Sequence, residues 1–167
     1  MTKGSFEEMN CPIAQTLQVV GEWWSLLIVR NAFCGMRHFD EFQQHLGISS
    51  NILSARLAHL TQNGILQRSE AQDDRRKVCY RLTEKGEALY PILIAMTAWG
   101  ERWQPGEDGP RLVLTERATG LAVAGVAAIS VDGRPLSLDA LELQAGPGAD
   151  QRTQMLVEAR LTAQANQ

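Results

Sequence analysis

Apolar residues recur every three or four positions through most of the first hundred residues, and then the period shortens to two. Pro12 suits a first helical turn, where its missing N–H costs nothing. Ile13, Leu17 and Val20 follow at helical spacing and Gly21 ends the segment. The next run, WWSLLIVRNAF, is apolar nearly all round and predicts a helix buried on most sides, stopped by Cys34-Gly35. FDEFQQHL, 39–46, places Phe39, Phe42 and Leu46 on one side of a short helix. Gly47 breaks it, Ile48 is an apolar residue set in the turn, and the Ser49 hydroxyl can cap the helix that follows. That helix, 50–63, carries Leu53, Leu57 and Leu60 on one stripe and closes at Asn63-Gly64. Two short helices joined by a glycine-containing turn predict a helix-turn-helix.

Alternation then takes over. Residues 65–68 and 78–82 read as two short strands, with Val78, Tyr80 and Leu82 alternating against Cys79 and Arg81. Between them EAQDDRRK places Arg75, Arg76 and Lys77 at a hairpin tip. A hairpin directly after the second helix of a helix-turn-helix is the wing of a winged helix. A long helix is expected after Thr83, with Leu89, Ile92, Leu93, Met96, Trp99 and Trp103 along one face and a kink at Pro91. Ile94, Ala95 and Ala98 widen its apolar surface beyond what one core needs, which predicts a partner chain over the remainder.

QPGEDGP, 104–110, marks a boundary. Beyond it 112–115, 121–131 and 136–143 read as strands, with Asp132-Gly133 as a hairpin turn. Residues 150–167 are expected to be a helix or a flexible tail. The fold class is α+β: a winged helix-turn-helix domain over 1–104 with a long C-terminal dimerisation helix, plus a small strand-rich extension over 105–149.

Composition changes this picture only in detail. The net charge is −3, but residues 1–104 hold 11 Lys/Arg against 11 Asp/Glu while 105–167 hold 5 against 8. The whole acidic excess lies in the extension, so the first domain can still present a basic face. No apolar run approaches the roughly 20 residues of a membrane span, and the N-terminus lacks the apolar core of a signal peptide. Cys11, Cys34 and Cys79 form no close pair, as in a reducing compartment, so the cytoplasm is the expected location.

A helix face that enters the major groove needs small residues for approach and hydrogen-bonding side chains for base edges. Opposite the leucine stripe lie Asn51, Ala55, Ala58 and Gln62, flanked by Ser54 and His59. Ser50, Asn51 and Ser54 are the first candidates for base contact, since the N-terminal part of such a helix usually reads bases. Ser49 and His59 complete the candidate surface. Arg37, Arg56, Arg75, Arg76 and Lys77 are candidates for phosphate, which supplies affinity with little sequence information.

These residues sit in a recognisable set. Cys11-Pro12-Ile13, Trp24-Ser25-Leu26-Leu27-Ile28, Gly35 with Arg37-His38-Phe39-Asp40-Glu41-Phe42, and Gly47-Ile48-Ser49 come first. Leu53-Ser54-Ala55-Arg56-Leu57, Tyr80-Arg81-Leu82-Thr83-Glu84-Lys85-Gly86 and Trp99-Gly100 complete it. Over about residues 10–103 the chain resembles the HxlR family of bacterial winged-helix regulators, close to the MarR type. It departs at Trp23, where the family often has a basic residue, and the segment after 105 lies outside the common domain.

The resemblance implies a homodimer on double-stranded operator DNA, built from the first and last helices of the domain. Ile13, Leu17, Leu93, Met96, Trp99 and Trp103 are then the interface candidates. Some members sense oxidants or electrophiles through a cysteine beside this proline, which makes Cys11 a redox-sensing candidate and an oxidant or small molecule a possible effector. A thiol at a helix N-terminus also sits beside N–H groups that favour the thiolate. Cys34 and Cys79 read as packing residues, and the four tryptophans as core rather than as an effector pocket.

No ligand pair stands at CxxC or HxxxH spacing, so no metal and no cofactor is expected. With no glycine-rich phosphate loop, nucleophile elbow or carboxylate constellation, an enzyme is not expected either. The alternative is an effector-binding or protein-interaction module that offers the same winged surface to a protein partner.

Overall fold

A computed structural model describes residues 6–70, 78–123 and 125–165, and these divide into two compact units. One comprises Trp23–Val126; the other joins the two ends of the chain, Met1–Glu22 with Ala127–Gln167.

In the first unit, α2 (Trp23–Phe33), α3 (Phe39–Leu46) and α4 (Ser50–Gln62) precede the antiparallel hairpin of β1 (Leu66–Glu70) and β2 (Val78–Leu82). The pairing runs from Leu66 opposite Leu82 to Glu70 opposite Val78. Ile28, Val29 and Ala32 of α2 are buried, with Phe42 of α3 and Leu53, Leu57 and Leu60 of α4. Turn residues complete this core. Gly47 takes the left-handed conformation (φ 63°) that a non-glycine residue resists, which ends α3 and leaves Ile48 buried. Ser49 accepts the Ile52 N–H at 3.4 Å and starts α4.

After β2 the expected kinked helix is instead two. α5 (Glu84–Glu87) is one turn long, capped by Thr83 Oγ1, which accepts the Gly86 N–H at 3.1 Å. α6 (Tyr90–Trp103) restarts with Pro91 in its first turn. The physical reason is the missing N–H: proline has none to give the preceding turn but loses nothing at a helix start, so the chain breaks before it. Phe33 stacks obliquely on Tyr90, ring centroids 5.0 Å apart.

α6 buries none of its residues: Met96 is 53% exposed, Trp99 60% and Trp103 59%. Trp23 is 89% exposed. These aromatics are therefore not core of the single chain, contrary to their helical spacing. Cys79 is buried as expected, whereas Cys34 is exposed where α2 ends.

The second unit holds α1 (Pro12–Val20), β3 (Ala128–Ile129), β4 (Pro135–Leu136), a 3₁₀ turn (Leu138–Ala140) and α7 (Gln151–Ala165). Much less of the extension is strand than its alternation predicts: β3 and β4 are two residues each, and 115 pairs with 122 only as an isolated bridge. A strand needs a neighbour for its ladder, and alternation alone does not supply one. Of the two expectations for the C-terminal segment, the helix is observed. Asp150 accepts the Thr153 N–H at 2.8 Å at its start. Asn10 joins the two ends: its Nδ2 donates to Gly148 O at 3.1 Å, and Thr153 Oγ1 donates to Asn10 O at 2.7 Å.

Candidate nucleic-acid interface

The leucines of α4 face the core, so the rest of the helix faces out. Ser50, Asn51, Ser54, Ala55, Ala58 and Gln62 are all exposed, and Arg56 and His59 lie half-buried at the flanks. Ile52, 43% exposed, joins this face; its one-residue offset from Leu53 could have pointed to it. An exposed aliphatic side chain near the N-terminus of such a helix can meet a thymine methyl.

Both ends of α4 are held. The Lys85 ammonium donates to Asn63 O at 2.8 Å, satisfying a terminal carbonyl and complementing the negative end of the helix. Thr83 Oγ1 donates to Gly64 O at 2.5 Å, and Gly86 packs where a Cβ would overlap the Ile65 carbonyl oxygen. Thr83-Glu84-Lys85-Gly86 is therefore a brace under the end of α4, a role that sequence spacing leaves invisible.

The wing cations Arg75, Arg76 and Lys77 lie outside the described residues. The strands leading to them are anchored from an unexpected side. Arg37 O accepts the Tyr80 N–H at 2.7 Å, His38 pairs with Cys79 as an antiparallel bridge, and His38 Nδ1 meets Val78 O at 3.0 Å. Since a carbonyl only accepts, Nδ1 carries the proton.

Glu41 fastens the other side of that link. Its carboxylate accepts the N–H groups of Arg37 at 2.7 Å and His38 at 2.9 Å, and those two bonds hold its carboxyl below the usual carboxylate range. Arg37, expected at phosphate, spends one guanidinium N–H on Ala32 O at 2.9 Å. Arg68, exposed on β1, is a further cation of the wing stem that the sequence reading passed over.

A capped, outward-facing helix joined to a wing stem is the helix-turn-helix arrangement, and the HxlR-like helix-turn-helix family matches residues 19–108, more than half of the chain. The chain belongs to this family. It is 36% identical over 108 residues to the HTH-type transcriptional regulator Rv3095 of Mycobacterium tuberculosis, covering 65% of this chain and 68% of that protein. YodB of Bacillus subtilis, also an HTH-type transcriptional regulator, is 34% identical over 100 residues, 58% of this chain and 89% of YodB. Its reduced form superposes with a TM-score of 0.50 at 34% identity, over 59% of this chain and all of that one.

PA1607, described as a candidate transcription factor, superposes with a TM-score of 0.78 at 38% identity, covering 86% of this chain and 100% of PA1607. That likeness runs beyond the family's common segment into the extension. This HxlR-family chain is a transcriptional regulator of the helix-turn-helix type, and its family and relatives are regulators rather than enzymes. No described helix is long and apolar enough to cross a membrane.

Proposed function

We propose that the chain works in the cytoplasm as a homodimeric regulator that binds operator DNA through α4 and the wing. The observation that carries this is the exposed polar stripe from Ser50 to Gln62 on a helix whose opposite face is fully buried. Ser50, Asn51 and Ser54 read base edges. Ser49 presents the helix start, and Arg37, Arg56, His59 and the wing cations Arg75, Arg76 and Lys77 hold phosphates. Residues 1–104 are the DNA-binding and dimerising part, with 105–149 and 150–167 appended.

Ile13, 71% exposed, and Leu17 on α1 belong to the dimer interface. From α6 it takes Met96, Trp99, Trp103 and the half-buried Leu93. Two-fold symmetry then places two half-sites about one helical turn apart. Selection from a random duplex pool followed by footprinting tests this: a symmetric, salt-sensitive footprint is expected. A chain that retains no duplex at low salt is instead a protein-interaction module.

The regulator also responds to oxidants or electrophiles through Cys11. This thiol is half-buried at the start of α1, in a family whose member YodB has been solved in a form described as reduced. Operator affinity of wild type and Cys11→Ser is compared after treatment with a mild oxidant. A loss confined to wild type is expected; equal responses would leave Cys11 a packing residue.

A further inference from the structure

The chain turns back on itself after α6, and the return path is anchored. Gly109 adopts φ 110° in the turn. Glu101 then accepts two backbone N–H groups, from Arg111 at 3.0 Å and from Leu112 at 3.1 Å, while Arg111 Nη1 donates to Gln104 O at 2.6 Å. Residues 114–123 form a narrow hairpin: Glu116 N donates to Leu121 O and Val123 N to Leu114 O, both at 2.8 Å, around Gly120 at φ 70°. Gly125 lies against Ala98, in the middle of the helix. The segment is a strap hydrogen-bonded to the end of α6 through Glu101 and passing close to the helix again at Ala98.

Among the described residues of this strap none is buried. Leu112, Val113, Leu121, Val123 and Val126 are between 41% and 68% exposed. They stand beside a helix that is itself uncovered at Met96, Trp99 and Trp103. Arg102, 5.0 Å over the Trp103 ring, gives this surface a cationic rim. Tryptophan, methionine and arginine are the types enriched at protein interfaces.

At about 100 Å² of apolar surface apiece, eight such side chains come to about 800 Å². That is the share one partner contributes to a standard interface. A helix with no buried residue is not stable by propensity alone, so its cover must be available as the chain folds. A second copy meets that condition, because a two-fold contact supplies the same patch on both sides at equal concentration.

We infer that this strap is a dimerisation element, extending the α6 surface with an apolar arm that seats a second copy of the chain. The inference rests on the α6 dimer proposed above and assigns a role to the first part of the extension. Glu101 is then a positioning residue that carries no interface contact of its own but sets the strap along the helix.

Sedimentation equilibrium over a dilution series tests this with the full-length wild type, Leu112→Asp/Leu121→Asp, Glu101→Ala, Trp99→Ala and Leu138→Asp, a control outside the strap. Circular dichroism confirms that each is folded. The strap pair is expected to weaken dimerisation at least tenfold, Glu101→Ala by a smaller factor, and the control not at all. A dimer weakened by Trp99→Ala but unchanged by both strap variants would overturn the strap and leave the α6 dimer standing. A wild type monomeric at micromolar concentration would overturn both.

Discussion

His38 and Val78 stand 40 positions apart in the chain, yet the imidazole Nδ1–H of one donates to the carbonyl of the other at 3.0 Å. His38 directly precedes α3, and Val78 is the first residue of β2 on leaving the wing. This bond ties the helix-turn-helix to the base of the wing, so the direction of the hairpin is set partly from α3.

His38→Ala is expected to lower stability by about 1 kcal/mol, the net worth of a hydrogen bond. More tellingly, it should weaken binding to all duplexes alike and flatten the salt dependence, because a misdirected wing forfeits phosphate contacts. Base preference, assigned to α4 in the proposed function, should be unchanged. His38→Asn, which keeps a short donor, should recover part of the affinity. Titrations on matched and mismatched duplexes at several salt concentrations measure all three.

The wing and the recognition helix should separate by substitution. Arg75→Ala with Arg76→Ala is expected to reduce affinity uniformly and lower the salt slope by about one to two, whereas Asn51→Ala relaxes preference at one base position by about 1–3 kcal/mol. A double mutant that kept full affinity and the original slope would remove the wing from the interface.

Gly86→Ala should destabilise the fold although the position looks like an ordinary helical turn. A Cβ there overlaps the Ile65 carbonyl oxygen, which is backbone and can move only with β1. Overpacking of this kind costs about 1–3 kcal/mol. Thermal unfolding is the measurement, with Gly100→Ala, where a Cβ meets nothing within 4 Å, as the control.

Glu41 predicts an acid limb. Its carboxyl is held below the usual value of 4.5 by the Arg37 and His38 N–H groups, so the stability it contributes is complete above about pH 4.5. That stability is lost as pH falls through the lower folded-state value. The side chain is exposed, so screening limits the effect to about 0.5 kcal/mol. Wild type should exceed Glu41→Gln by that margin at pH 6, and the two should converge once the pH falls below the lowered folded-state value. Denaturant unfolding across this range follows the convergence; a constant gap would mean the cap does not depend on ionisation.

Much of this protein was legible in its sequence because the deciding physics is local. Pro12, Gly35, Gly47 and Ser49 each act within a few residues, through a missing N–H, a left-handed glycine or a capping hydroxyl, and α1 to α4 begin and end where those residues direct. The Leu53–Leu57–Leu60 stripe likewise placed α4 and its outward face, since a helix carries its own periodicity. Pairings between distant segments were not legible. That His38 reaches Val78, Lys85 caps Asn63 O and Glu101 gathers Arg111 depends on chain reversals that no single stretch encodes. The alternation after residue 110 looked like strands, but a strand exists only where a neighbour completes its ladder, and here few neighbours arrive. The same limit applies to Trp99 and Trp103: helical spacing marks an apolar face, and only the tertiary structure decides whether the chain itself covers it.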